Sequence, residues 1–167
     1  IKRFNLSGGY KHEAIRDYFG SKYKSAEVTY TVEKEPLGTG GGLLLAMKRL
    51  KYDEPFLLLN GDPFFAINRS DLVKHHSECG SEMTLSLTQV PRNDRYDGVL
   101  LNKHGWINSL EARTEDSKSS IINGGVYIIE RKLLSAYEAR TPEKCSFEDE
   151  LLPELLSQKR RISGYLS

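Results

Sequence analysis

The chain lacks any long apolar segment and any strong charge of one sign. It has 167 residues, 38% hydrophobic and 28% charged, and no apolar run approaches the roughly 20 residues that a membrane-spanning helix needs. With 24 basic and 23 acidic side chains, the net charge of +1 gives no field that would gather nucleic acid or an anionic membrane. The composition therefore predicts a soluble globular protein with neither nucleic acid nor membrane as partner.

Cysteine is scarce, and both the start and the end of the chain are abrupt. Cys79 and Cys145 lie far apart without metal-site spacing, so we expect reduced thiols in a cytoplasmic protein. No Ser-His-Asp or Cys-His arrangement points to covalent catalysis. The opening IKRFNLSGGY has no initiating methionine and no signal-peptide layout, and it reads as a strand entering a turn. We therefore expect a single, partial domain over 1–167.

Hydrophobic periodicity predicts an α/β fold. Strands are predicted over RFNLSGGY, AEVTYTVE, EPFLLLNGD, EMTLSLTQV and SSIINGGVYIIE, with a hairpin over GVLLNKHGWINSLEA. Helices are predicted over KHEAIRDYFG, roughly Gly41 to Leu50, SDLVKHHSEC from a Ser-Asp cap, RKLLSAYEA and SFEDELLPELLSQKR. EPFLLLNGD suits a strand buried on both faces, and His75 and His76 are predicted surface residues. The order indicates a three-layer domain with a mostly parallel sheet and antiparallel pairing at one side.

Four polar or glycine-rich loops follow apolar strands, where ligands bind in open α/β sheets. They are Glu33–Gly42, Asn60–Phe65, Glu111–Arg113 and Asn123–Gly125. In the first, PLGTGGG would let the backbone approach a ligand and opens a helix whose N–H groups favour an anion or a base edge. Because it matches neither the P-loop nor a clean dinucleotide fingerprint, a plain turn and a ligand loop both stay open.

The other three loops carry oxygen donors and glycines. Asp62 follows the apolar run LLLNG and is a natural ligand for Mg²⁺, which takes one or two carboxylates and completes its shell with phosphates and water. The alternative is an Asx-type hydrogen bond that caps the next turn. Glu111 could accept hydrogen bonds from sugar hydroxyls, and the glycines after Asn123 mark either a bulge or a ligand contact.

Read in order, five segments resemble the sugar-phosphate nucleotidyltransferase family, the nucleotide-sugar pyrophosphorylases. They are EKEPLGTGG, LLLNGDPFF, RYDGVLLNKHGWINSLEAR, INGGVYII and SFEDELLPELL, and they resemble most the guanylyltransferases of heptose or mannose 1-phosphate. The resemblance implies a Rossmann-like nucleotide-diphospho-sugar transferase fold with a mixed, mostly parallel sheet. It also implies a Mg²⁺-dependent reaction of a sugar 1-phosphate with GTP or another NTP, which releases pyrophosphate, in nucleotide-sugar and lipopolysaccharide or capsule biosynthesis.

The resemblance assigns roles position by position. Asp62 matches the metal aspartate. Ala112 stands where the family places a lysine for the sugar phosphate. Either Arg113, the nearest cation, takes this catalytic role imperfectly, or phosphate binding is weakened. Glu33 matches a base-reading position, and a carboxylate, which only accepts hydrogen bonds, suits the N–H donors of guanine. The other implied nucleotide-binding residues are Pro36, Leu37, Gly38, Thr39, Asn60 and Gly61, and the sugar-binding residues are Gly98, Glu111, Asn123 and Gly124.

Departures from the family pattern keep two alternatives open. The family's glycine-rich loop with an arginine, and its second metal aspartate, are expected before and after these 167 residues. One alternative is a non-catalytic sugar-nucleotide-binding or regulatory domain of the same fold. The other is an unrelated dinucleotide-binding domain, in which Glu33 would hold a ribose. The sequence leaves a homo-oligomer open.

Overall fold

The computed structural model describes residues 1–50, 53–62, 65–91, 97–111, 120–138 and 143–167. These residues form two compact units, Ile1–Tyr52 with Ser135–Leu152, and Asp53–Leu134 with Pro153–Ser167. The single partial domain over 1–167 stays a prediction. Within the described ranges, no helix has both the length and the apolar character to cross a membrane.

Helices separate most of the strands in the first half of the described chain, whereas the four strands between residues 83 and 129 follow one another without a described helix. In order they are β1 (Arg3–Gly8), α1 (His12–Phe19), β2 (Lys22–Tyr23), β3 (Ala26–Val32), α2 (Gly38–Met47), β4 (Phe56–Leu59), α3 (Arg69–Cys79), β5 (Met83–Gln89), β6 (Gly98–Leu101), β7 (Ile107–Glu111), β8 (Ile121–Ile129), a 3-10 turn (Arg131–Leu134), α4 (Ser135–Glu138), a π-helical turn (Phe147–Leu151), α5 (Leu152–Ser157) and β9 (Ile162–Leu166). The predicted α/β fold is confirmed.

The first unit is built on the β-α-β crossover that the sequence predicts. Strands β1 and β3 pair in parallel, with Gly8 opposite Val32 at their ends, and β2 adds an antiparallel edge to β3. Helix α1 ends at Gly20, which has φ +60° and donates its N–H to the carbonyl of Arg16, as predicted for a glycine C-cap. The crossover brings the carboxyl ends of β1 and β3 together at one edge.

Helix α2 was predicted over Gly41–Leu50, and this boundary is wrong. The helix spans Gly38–Met47, so it begins three residues earlier and includes the glycines that the sequence places in a loop. Glycine disfavours a helix interior, but here the N–H groups of Gly40 and Gly41 donate to the carbonyl of Cys145 at 3.0 and 3.3 Å. A contact from a distant part of the chain therefore stabilises the start of α2.

The second unit contains a mixed sheet in the order β7-β6-β8-β5-β9, with β4 also paired to β8. Strands β4 and β5 both pair antiparallel with β8, so they run in the same direction, as a strand-helix-strand sequence predicts. However, β8 lies between them, and within this sheet only β5 and β9 pair in parallel among the described strands. The sheet is mixed as predicted, with a smaller parallel share than expected because β8 separates consecutive strands.

Two burial predictions in the second unit are wrong. Strand β4 is only half-buried, and Leu59 at its end is 55% exposed, since the core cluster of Leu72, Val126 and Ile128 packs against Leu57 alone of this strand. His76 was predicted at the surface but is 5% exposed.

Helix α3 begins earlier than predicted because Asn68, not Ser70, is its N-cap.

A polar network explains the burial of His76. Its Nδ1 lies 2.8 Å from Thr84 Oγ1 and its Nε2 lies 3.4 Å from Glu130 Oε1. Desolvation by burial lowers the pKa of His76, against the opposing effect of the Glu130 carboxylate. Burial likewise lowers the pKa of the neighbouring His75, whose ring lies against Tyr165. A buried imidazole with partners at both nitrogens satisfies its hydrogen-bonding needs without solvent.

Candidate functional site

Glu33 lies at the end of β3 and closes its own loop. Its N–H donates to the carbonyl of Gly8 at 3.1 Å, and its Oε2 accepts a hydrogen bond from the backbone N–H of Leu37 at 3.0 Å. A Cβ atom on Gly42 would lie 2.7 Å from Glu33 Oε1, so the carboxylate rests against the first turns of α2. Among the described residues Oε1 accepts no hydrogen bond, and it retains capacity for ligand donors.

The glycines of PLGTGGG make room for another segment of the chain, residues 143–145, which packs against them. Gly38 has φ +72°, and a Cβ there would lie 2.6 Å from the carbonyl oxygen of Cys145. A Cβ on Gly40 would lie 2.8 Å from Cys145 Sγ, and one on Gly41 would overlap the carbonyl of Glu143. These glycines are therefore required by the close approach of residues 143–145, a reason that the sequence does not reveal.

The start of α2 still offers open hydrogen-bond donors. Thr39 Oγ1 is paired with Phe147 N and Glu148 Oε2, but the backbone N–H groups of Gly38 and Thr39 donate to no group within the described ranges. Pro36 is exposed beside them. Unpaired N–H groups at a helix start favour anionic or carbonyl acceptors, so the predicted nucleotide-binding run 36–39 retains the donors that such a role needs.

An open cleft of about 680 Å³ borders this loop in the first unit and is lined by residues 9–13 and 32–36. Sequence reasoning missed its far wall, where Tyr10 is 88% exposed and Lys11 has φ 54°. The signal for this wall was the Gly-Gly-Tyr stretch directly after β1. Glu33 and Pro36 thus line a cleft at the carboxyl ends of two parallel strands, the position where α/β sheets bind ligands.

In the second unit, the Asn60-Gly61-Asp62 loop follows β4. The N–H of Asn60 donates to the carbonyl of Gly125 at 3.0 Å, while Gly61 and Asp62 are exposed. The Asp62 carboxylate makes no hydrogen bond to the described part of the chain, and the Asx-type alternative with residues 63–64 lies outside it. Asn60 and Gly61, predicted with the nucleotide set, therefore lie in the same unit as Asp62.

Asp62 fits the role of a single protein ligand to Mg²⁺, with other oxygens completing the coordination shell. The described residues contain no group of three or more His, Cys, Asp or Glu side chains that could hold a metal ion. Mg²⁺ binds through one or two carboxylates and keeps phosphate and water oxygens for the rest of its shell. A single exposed carboxylate such as Asp62 can supply the protein's share of that shell, whereas a structural transition-metal site would need more protein ligands.

The Asn-Gly-Gly interruption of β8 is a β-bulge. Leu85 pairs with Tyr127 and Leu87 with Asn123, so three residues of β8 face Ser86 alone, and Gly125 has φ +73°. The Asn123 amide closes the bulge, because Oδ1 accepts from Gly125 N at 3.0 Å and Nδ2 donates to Tyr127 Oη at 2.7 Å. The bulge alternative for this glycine pair is confirmed, and a ligand contact stays a prediction.

Two side chains that sequence reasoning missed support the bulge. Ser86 is fully buried, and its Oγ accepts a hydrogen bond from Val126 N at 3.2 Å. A Cβ on Gly124 would lie 2.7 Å from the Phe65 ring and 2.9 Å from Ser86 Oγ. Gly124 is thus needed for packing beneath Phe65. Ser86 belongs to no recognisable motif, and Phe65, although it ends the segment LLLNGDPFF, carries no sequence signal for a contact with Gly124.

The structure brings the predicted sugar-binding residues together. Gly98 on β6 pairs with Glu111 at the end of β7 and with Ile122 on β8, next to Asn123 and Gly124. Gly98 is buried and Glu111 half-buried. The hydrogen bond from Asn60 N to the carbonyl of Gly125 places the loop that carries Asp62 next to these residues. Arg113, predicted to contact the sugar phosphate, lies outside the described residues.

Comparisons with known proteins bear on the family to which the chain belongs. Residues 5–166 match the Nucleotidyl transferase family. The D-glycero-alpha-D-manno-heptose 1-phosphate guanylyltransferase of Aneurinibacillus thermoaerophilus is 32% identical over 100% of this chain and 70% of its own length. The mannose-1-phosphate guanyltransferase of Schizosaccharomyces pombe is 34% identical over 89% of this chain and 40% of its own length.

A solved structure supports the same assignment. HddC from Yersinia pseudotuberculosis, complexed with GMP-PN, superposes with a TM-score of 0.81 at 26% identity, covering 100% of this chain and 70% of that one. The predicted family, the Rossmann-like fold and the nucleotidyltransferase class of activity are confirmed, and nothing favours the non-catalytic alternative. The chain belongs to the nucleotidyl transferase family.

Proposed function

We propose that this chain carries the catalytic site of a Mg²⁺-dependent sugar-1-phosphate guanylyltransferase. The reaction joins the sugar 1-phosphate to the α-phosphate of GTP and releases pyrophosphate. One observation carries the proposal: the hydrogen bond from Asn60 N to Gly125 O sets the loop bearing Asp62 against the bulge that presents Asn123 and Gly124. Related chains bear the names of heptose and mannose 1-phosphate guanylyltransferases, which supports both the nucleotide and the sugar class.

In this proposal the chain positions substrates and supplies no nucleophile. Asp62 would hold Mg²⁺, which offsets negative charge on the phosphates when bound. Gly98, Glu111, Asn123 and Gly124 would orient the sugar, and Arg113 would contact its phosphate. Transfer of this kind depends on alignment and charge neutralisation, so the lack of a covalent-catalysis motif in the sequence fits the reaction.

Glu33 is our candidate for guanine selection. Its Oε2 is engaged by Leu37 N while Oε1 accepts no hydrogen bond from the described residues. A carboxylate accepts from the N1–H and N2–H₂ donors of guanine, and the facing edges of thymine and uracil offer a single N–H donor between two carbonyls. The remaining acceptor on Glu33 therefore favours GTP over dTTP or UTP.

The setting proposed for the reaction is the cytoplasm, in nucleotide-sugar synthesis that feeds lipopolysaccharide or capsule assembly. Two free cysteines, Cys79 and Cys145, fit a reducing compartment. The names of the heptose-specific relatives support heptose 1-phosphate as the first sugar to test and mannose 1-phosphate as the second.

A substrate panel tests the proposal. Pyrophosphate release is measured with Mg²⁺, each of GTP, dTTP, UTP and CTP, and each of heptose, mannose and glucose 1-phosphate. We expect release with GTP and with heptose or mannose 1-phosphate, and none without the sugar phosphate. Binding of a GDP-sugar without any release from the complete panel would instead identify a non-catalytic binding domain.

A further inference from the structure

The start of α2 is held by a segment from a distant part of the chain. This segment, residues 143–151, is called here the clamp segment, and it lies in the same compact unit as α2. Cys145 N donates to the carbonyl of Leu37 at 2.9 Å, and the carbonyl of Cys145 accepts from Gly40 N and Gly41 N. These three backbone bonds fix both sides of Gly38 and Thr39.

Two further hydrogen bonds involve the side chain of Thr39. Its Oγ1 donates to Glu148 Oε2 at 2.8 Å and accepts from Phe147 N at 2.8 Å. A threonine hydroxyl can serve as donor and acceptor at once, so Thr39 joins a side chain and a backbone group of the clamp segment. Valine, with the same shape, could make neither bond.

The clamp segment is itself held in place by a helix cap and by two buried side chains. Ser146 is its N-cap: its Oγ accepts from Asp149 N at 3.0 Å, and Glu150 Oε1 accepts from Ser146 N at 2.8 Å, an arrangement like a capping box. Phe147 and Leu151 are 1% and 4% exposed, so they anchor the segment in the core. The SFEDELL motif therefore forms a fixed support rather than a surface helix end.

We infer that Thr39 and Glu148 are positioning residues that fix the nucleotide loop for GTP, an inference that rests on the proposed function. The loop is held on one side by Glu33, which accepts from Leu37 N, and on the other by the clamp segment. The open N–H groups of Gly38 and Thr39 lie between these two supports. A loop that is already ordered loses less conformational entropy when its ligand binds, so the Thr39–Glu148 contact strengthens GTP binding without touching the transferred phosphate.

The kinetic signature is a rise in KM for GTP at nearly constant kcat. We expect Thr39→Val to raise this KM about tenfold or more, because it removes both hydrogen bonds of the Thr39 hydroxyl. The loss weakens binding in the ground state and in the transition state alike, so kcat changes little. Thr39→Ser keeps the hydroxyl and should stay near wild type. Glu148→Ala keeps the bond from Phe147 N to Thr39 and should raise this KM about tenfold, the factor for one hydrogen bond. Glu148→Gln keeps an acceptor oxygen and should restore most of the affinity.

The two free cysteines give a readout that needs neither nucleotide nor activity. Cys145 lies in the clamp segment, with its Sγ against Gly40, while Cys79 ends α3 in the other unit and is an internal control. We expect Glu148→Ala to speed the reaction of Cys145 with a thiol reagent about tenfold, the factor for one hydrogen bond. Thr39→Val, which removes two hydrogen bonds, should speed it at least as much. The rate at Cys79 should not change.

The two readouts separate this inference from the proposed function. If Thr39→Val or Glu148→Ala leaves the Cys145 rate unchanged, the clamp segment does not depend on this contact and the inference is wrong, whatever nucleotide binds. If the Cys145 rate rises but KM for GTP stays at its wild-type value, the contact is structural only and the positioning role is wrong. A wild-type protein that binds no GTP would contradict the proposed function itself.

Discussion

The backbone N–H of Asn60 donates a hydrogen bond to the carbonyl of Gly125 at 3.0 Å. Through it, the loop that ends in Asp62 rests on the bulge formed by Asn123-Gly124-Gly125. Asp62, the proposed metal ligand, and the proposed sugar-binding residues follow or lie on strands far apart in the chain, and this contact holds their two loops together. A backbone bond between two glycine-containing loops is difficult to replace by side chains, so both loops depend on the bulge keeping its shape.

A first prediction concerns Asn123 and asks whether its side chain only holds the bulge together or also contacts the sugar. Asn123→Ala removes the amide that bonds Gly125 N and Tyr127 Oη, whereas Tyr127→Phe removes only one partner. If the amide also contacts the sugar, Asn123→Ala should raise KM for the sugar 1-phosphate about tenfold or more, and Tyr127→Phe should change it little. Equal effects of both variants would show that Asn123 acts only by closing the bulge.

Glu33 makes a second prediction, about the choice of nucleotide. Glu33→Gln keeps an acceptor for Leu37 N but replaces one carboxylate oxygen by a donor group. We expect GTP to raise the melting temperature of the wild-type protein more than dTTP or UTP does, through binding linkage. In Glu33→Gln the ratio of the affinity for GTP to the affinity for dTTP or UTP should fall about tenfold. Equal stabilisation of the wild-type protein by all three nucleotides would remove the role of Glu33.

Gly38 makes a third prediction, about stability. Its φ of +72° and the 2.6 Å approach of Cys145 O to its missing Cβ leave no room for a side chain. Gly38→Ala should lower the free energy of unfolding by about 1–3 kcal/mol or more, measured by urea denaturation. Gly8→Ala is the matched control, since no atom lies within 4 Å of a Cβ at Gly8. A Gly38→Ala protein as stable as that control would show that the close approach to Cys145 is relieved at no cost.

His76 makes a fourth prediction, about pH. Burial lowers its pKa below 6.5 in the folded protein, so on acidification the unfolded chain takes up a proton before the folded one does. The free energy of unfolding should therefore fall as the pH drops below 6.5 towards the lower folded pKa. The charged groups that face this imidazole are Glu130 and, on its own helix, His75.

The variant His76→Gln tests the origin of this slope. It lacks the titrating imidazole, so its stability should change less between about pH 7.5 and about pH 5.5 than that of the wild-type protein. Urea denaturation across this range measures the difference, and His104→Gln, in the exposed turn between β6 and β7, is the control. An unchanged slope in His76→Gln would place the acid sensitivity elsewhere.

Much of the fold follows from local patterns, because the features concerned depend on neighbours in sequence. The β1-α1-β3 crossover, the Gly20 cap, the hairpin around Gly105 and the Ser146 cap with its acidic partners all lie where the sequence predicts them. Each rests on the conformational freedom of glycine or on short-range hydrogen bonds. The bulge at Asn123 was one of two alternatives, and strand pairing selects it.

The misplaced features depend on contacts between distant residues. The glycines at the start of α2 adopt a helix because the carbonyl of Cys145 binds their N–H groups, and no local rule contains that partner. His76 is buried because Thr84 and Glu130 surround it. Strand β8 separates β4 from β5, which a reading of consecutive strands does not reveal. The same holds for the site: its residue types were predictable, but the packing of Ser86 and Phe65 against Gly124 was not.

Asp62 provides the most direct test of the central claim, that this chain catalyses Mg²⁺-dependent guanylyl transfer. The measurement is the initial rate of pyrophosphate release from GTP and a heptose or mannose 1-phosphate, for the wild-type protein and for Asp62→Asn at saturating Mg²⁺. Asparagine keeps the size of the side chain but loses the charge that, in our proposal, holds the metal. We predict a fall on the order of a hundredfold or more with an unchanged melting temperature. An Asp62→Asn protein with a near-normal rate would contradict the account.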